Sequence, residues 1–258
     1  MLIFHMWEPY REMRIARHAF YVEQARTRLL SQFDNMEAEA DKAAEDWLER
    51  DTGSFNPDAD PASLYELAHD KSIEFYTSLA EMREQIRLSL IAGMYHEWEK
   101  QLRDWLVTEI NHWHGGPVAK RKIWGTNFEQ IFDLMDHFGW AMSVQPFHAT
   151  LDACRLVTNV FKHGDGSALR DLKLQAPQFL QGVFPLDENG LSDIKWRDHT
   201  HLKVDENDFT LFADAITAFW RYVPEHTHAA DVTTLPRWFE DALEEDRKAI
   251  AVKSAPAS

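Results

Sequence analysis

A chain of 258 residues, 45% of them hydrophobic, carries enough apolar surface for one large domain or two small ones. Its formal charge of −16 argues against non-specific nucleic-acid binding, which depends on Lys and Arg meeting phosphates. The single cysteine, Cys154, excludes an internal disulfide and fits a reducing cytoplasm, and no apolar window is long enough to span a membrane.

Taken in chain order, Met1 to Glu8 lacks the basic stretch and apolar run of a signal peptide. From Tyr10, apolar residues recur at helical spacing (Met13, Ala16, Phe20, then Leu29, Phe33, Met36), which predicts one long helix to about Arg50. Asp51 to Pro57 breaks it. A second helix is expected from about Ala62 to His114, bent or interrupted near Gly93, and the two should form an antiparallel pair. A polar, basic link over 118–125 leads to a helix at about 126–138 and another at about 145–163. Gly164 to Ser167 ends that helix, with Ser167 as the cap of a short successor. Pro177, Gly182, Pro185 and Gly190 mark an irregular stretch, and 201–204 is the best strand candidate. Asp205 reads as the N-cap of a helix reaching Pro224, and a last helix at about 237–252 precedes a tail, 254–258, expected to be disordered. The predicted fold is therefore all-α: a helical bundle on a long antiparallel pair, with an irregular C-terminal part holding at most a short strand.

The helix at 145–163 carries the chemistry. Arg155, Asn159 and His163 stand at i, i+4 and i+8, within an arc of about 80° on one face, while Leu156, Val157, Val160 and Phe161 occupy the other side. A guanidinium, a carboxamide and an imidazole in one row can hold a phosphate and move a proton without a metal. The same Lys162-His163-Gly164 is also what an ordinary helix end looks like, cations at the negative pole and Gly just beyond. The surrounding charge differs from the rest of the chain. Seven basic residues between 117 and 175 (Lys120, Arg121, Lys122, Arg155, Lys162, Arg170, Lys173) face six acids, a net of +1 against −17 for the remainder. Lys162 and the Lys120-Arg121-Lys122 run are therefore the candidate contacts for RNA phosphate or an acidic partner, although three cations in a polar loop are usually just solvated.

Other constellations are weaker. Two Glu-x-x-His pairs, Glu66/His69 and Glu109/His112, match half of a di-metal carboxylate set, but would lie about 65 Å apart on a continuous helix. The pairs His112/His114, His199/His201 and His226/His228 lack Cys partners and read as solvated or capping histidines. No metal ligand set is assigned. No Gly-rich phosphate loop, nucleophile elbow or Cys/His pair is present, and no cofactor is expected. Cys154 reads as a small buried residue.

The run Asn159 to Ser167, preceded by Arg155, resembles the motif helix of small bacterial HEPN-superfamily proteins found in abortive-infection and toxin–antitoxin loci. His96 to Leu106 is similar to their earlier core helix, and Asp205 through Trp220 to a late one; the likeness covers about residues 90–225. It implies a HEPN-like bundle domain over 1–225, followed by a C-terminal helix and tail over 226–258. It further implies a homodimeric, metal-independent endoribonuclease acting as a toxin or phage-defence effector, with RNA as substrate and an antitoxin or defence-system protein as partner. The composite site at the dimer interface would use His163 as acid/base, Arg155 on the phosphate and Asn159 to orient. Family members place the Arg and His four to six residues apart; here seven residues separate them, and Thr158 stands where one version has its Arg. The resemblance equally accommodates a catalytically inactive interaction or nucleotide-sensing module.

Overall fold

The long apolar stripes do become helices. The computed structural model describes residues 1–51, 61–182, 194–232 and 234–254, and over these the fold is an all-α bundle with one two-stranded ribbon. The expected break at 52–57, the irregular positions Pro185 and Gly190, and the tail 255–258 lie outside the described residues.

The first expected helix is not one rod. A strand, β1 (Leu2–His5), precedes α1 (Glu8–Gln24), which starts with Pro9 in its first turn. A π-helical turn (Ala25–Leu29) and a 3₁₀ turn (Leu30–Phe33) then separate α1 from α2 (Met36–Asp51). The break lets the two segments take different partners: α1 packs on α8 (Glu206–Tyr222), α2 along α3 (Pro61–Trp113). Helix α3 runs unbroken for 53 residues, about 80 Å. Gly93 does not interrupt it. Its missing side chain makes room for Tyr21, whose hydroxyl would lie 2.9 Å from a Cβ there and donates to the Leu90 carbonyl at 2.9 Å.

The segment expected as a polar link is a helix, α4 (Pro117–Gly125). Then come α5 (Phe128–His137), opened by a reciprocal Asn127/Gln130 cap, α6 (Pro146–His163) and α7 (Ser167–Gln175). Gly166, not Ser167, occupies the N-cap position of α7, and no side chain caps it. Residues 201–204 form no strand: a 3₁₀ turn (His199–His201) is followed by a single bridge, Leu202 to Leu180. Asp205 does cap α8, exchanging bonds with Asp208.

The ribbon joins the N-terminal segment to the chain that follows α8. Strand β2 (His226–His228) pairs antiparallel with β1 in the register Phe4↔Thr227 and His5↔His226. Helix α9 (Arg237–Ser254) packs on α4. The core lies around Leu88–Ile110 of α3, α5, α6 and α8, and its largest fully buried side chains include Phe4, Phe132, Phe219 and Trp220. No described helix is long and apolar enough to cross a membrane.

Candidate functional site

Helix α6 is buried on nearly every side. From Leu151 to Thr158 every residue is buried except Arg155, because α3, α7 and α8 all pack on it. The polar row is thus the opening of the helix middle to solvent, with Asn159 half-buried and Lys162 and His163 exposed at the end.

Arg155 is already engaged. Its Nε and Nη2 both reach Oδ1 of the buried Asp152, at 2.7 and 2.6 Å, and the guanidinium lies 5.5 Å from the Phe128 ring centre. Among the described residues Nη1 meets no acceptor. The side chains of Asn159 and His163 make no hydrogen bond or ion pair with the described residues. The three positions share one face, but the rise from Arg155 to His163 is about 12 Å. A single copy of the chain therefore does not bring guanidinium and imidazole onto a single phosphate.

The helix stops where the sequence places its end: Gly164 takes φ +66° and its N–H bonds to the Val160 carbonyl at 2.8 Å. Just beyond lies a second histidine that spacing did not single out as catalytic. The His199 ring sits 3.6 Å from where a Gly164 Cβ would be, and Asp165 Oδ1 meets both its Nδ1 and its backbone N–H at 3.0 Å. The hydrogen bond from His199 holds the Asp165 carboxyl below its usual range. His201 pairs in turn with Asp198, whose carboxyl is pulled down to about 2 by the Thr200 hydroxyl and then by His201. The Asp165–His199 pairing was not legible in the sequence, since the two are 34 positions apart.

Lys120, Arg121 and Lys122 are exposed on α4 and form no ion pair among the described residues. Helix α4 packs on α9 and α3, and α6 on α7, α8 and α3. Cys154 is fully buried and burial pushes its thiol well up, which makes it inert.

Two further features stand apart from α6. A cavity of about 420 Å³ between α1, α3 and α8 is floored by Leu90, Met94, Trp98 and Trp220, with Arg17 and Arg28 among its lining. At the ribbon, the side chains of His5, Glu225 and His226 bring one ligand atom each within 4.8 Å of one another. The pair Glu109/His112 lies on α3 with Oε2 and Nδ1 3.8 Å apart, and Glu66/His69 is far up the same helix. No family model matches this chain, and no curated protein or solved structure is detectably similar to it.

Proposed function

We propose that this chain is a HEPN-like, metal-independent endoribonuclease whose site is completed by a second copy, serving as a bacterial toxin or phage-defence effector. One observation carries the reading: Asn159 lies midway between Arg155 and His163, about 6 Å from each along α6, on the side of that helix open to solvent. Two such rows apposed antiparallel about Asn159 set each Arg155 beside the partner's His163. The row is self-complementary, as a two-fold interface requires.

In that arrangement neutral His163 takes the proton of a ribose 2′-hydroxyl, whose oxygen attacks the adjacent phosphorus. Arg155, held in place by Asp152, neutralises the charge that develops on the non-bridging oxygens. The imidazolium returns its proton to the departing 5′-oxygen, leaving a 2′,3′-cyclic phosphate and a 5′-hydroxyl end. Lys162 meets a neighbouring phosphate. Purified protein treated with EDTA should cleave RNA to those ends, and His163→Ala or Arg155→Ala should lower the rate by about 10²–10⁴-fold. Cleavage that persists unchanged in His163→Ala sinks the proposal.

The Arg155–Asp152 pair favours a second reading, a non-catalytic interaction module of the same fold, because a carboxylate beside the guanidinium opposes an arriving phosphate. Expression separates the two. A toxin arrests growth and loses that effect with His163→Ala; an interaction module does neither.

A further inference from the structure

We propose that His5, Glu225 and His226 form a binding site for a zinc-class divalent metal ion that fastens the N-terminal strand to the chain following α8. The three come from two segments that meet only in the folded protein. His5 ends β1 and His226 begins β2, and the two are direct cross-strand partners. The Met6 N–H donates to the Glu225 carbonyl at 2.9 Å, which fixes the third ligand's backbone beside the first. The end of β1 is itself anchored, because the His5 N–H donates to Glu109 Oε2 at 2.8 Å. Glu109 is thereby used as a backbone acceptor, and the ligand set is two imidazoles and one carboxylate.

The side chains are close to what an ion needs. The two imidazole rings stack 4.7 Å apart with planes inclined by 14°, and His226 Nδ1 is 3.9 Å from Glu225 Oε1. Tetrahedral zinc with bonds of about 2.0–2.2 Å spaces its ligand atoms by about 3.3 Å. The atoms here lie within 4.8 Å, and turning one of the two stacked surface rings about its side-chain bonds aims its nitrogen at the shared ion and closes the set. Two nitrogens and one oxygen suit zinc and its neighbours better than calcium or magnesium, which take oxygen shells. Three protein ligands leave a fourth position for water. Because the ligands converge only when the ribbon is paired, the ion binds the folded chain and not the unfolded one, and so stabilises it.

The site is on the ribbon and not on the α6 row, so the outcome is independent of the ribonuclease proposal. The experiment uses the full chain, stripped with chelator and then freed of it. Cobalt(II) titration should show one equivalent bound with the strong visible bands of four-coordinate cobalt, displaced by zinc(II). Zinc should raise the Tm of the wild type and leave that of His5→Ala and of His226→Ala unmoved. Glu225→Gln should weaken binding by about tenfold, and His69→Ala, on the exposed face of α3, should bind as the wild type does. Cobalt that stays in its weakly coloured six-coordinate form overturns the proposal. So does a zinc-induced Tm shift that survives both histidine changes, which would mean adventitious binding elsewhere.

Discussion

Replacing Asp246 by Ala is expected to cost about 3–5 kcal/mol of folding stability, read as a fall in the midpoint of urea unfolding at unchanged slope. The carboxylate comes from α9, is fully buried, and closes the start of α4. Oδ1 accepts the Val118 N–H and Oδ2 the Ala119 N–H, each at 2.9 Å, and His114 Nε2 lies 3.2 Å from Oδ2. The first turn of a helix has N–H groups with no partner inside it, and here a distant chain segment supplies the acceptor. Truncation to Ala leaves two backbone donors and a buried imidazole unpaired, at a position where water has no access. Gly116 belongs to the same device. A Cβ there would fall 2.0 Å from the Asp246 Cγ and 2.5 Å from its Cβ, too close for a small rotation to relieve, so Gly116→Ala should also destabilise, by about 1–3 kcal/mol.

The pH dependence has a definite sign. Burial pushes the Asp246 carboxyl up, but the Ala119 and Val118 N–H groups and His114 outweigh it, and the net shift is downward. A group held below its unfolded value of about 3.9 stabilises the protein fully above that pH, and loses the contribution as pH falls through its folded pKa. The stability gap between wild type and Asp246→Ala should therefore be widest above about pH 5 and narrow on further acidification. A gap that widens in acid would show that the carboxylate is not the stabilising form.

What could be read from the sequence follows from how local each signal is. Helices α5, α6 and α8 have short-range signatures: Asn127 and Asp205 as caps, a wide apolar stripe, and Gly164 just past the end of α6. They appear within two or three residues of expectation. Helix α4 was missed because its cap, Asp246, stands well over a hundred positions away, and because Lys120-Arg121-Lys122 hides the apolar set Val118, Ala119 and Ile123. The break at 25–33 has no Gly or Pro to announce it, and it comes from the different packing partners of α1 and α2. The ribbon is the most non-local case. A four-residue strand at the N-terminus is stabilised by pairing with residues 226–228 and by packing on α3, so neither half reads as a strand alone. The candidate site behaves likewise: helical spacing placed Arg155, Asn159 and His163 on one face and puts Asp152 one turn before Arg155, while His199 over Gly164 depends on packing.

That non-local closure sets the second large expectation. Phe4→Ala should cost about 3–5 kcal/mol, although the residue lies four positions from the chain's start, where substitutions are ordinarily tolerated. Phe4 is fully buried, its ring 4.5 Å from that of Phe138, 5.2 Å from Trp140 and 6.0 Å from Trp105. The surrounding groups are tied to the same ribbon: Trp140 donates its indole N–H to Thr227 Oγ1 at 2.8 Å, and Trp113 donates to the Ile3 carbonyl at 3.0 Å. These bonds keep the walls from collapsing into the space a missing phenyl ring leaves, and a cavity that cannot collapse is the expensive kind. A contrasting change is available on α1. Phe20→Ala, at a ring that is 64% exposed, should move stability by no more than about 0.5 kcal/mol. Urea unfolding of the two variants decides the matter: if Phe4→Ala is as mild as Phe20→Ala, β1 is an accessory strand, and residues 1–6 do not close the core that α3, α5 and α8 build.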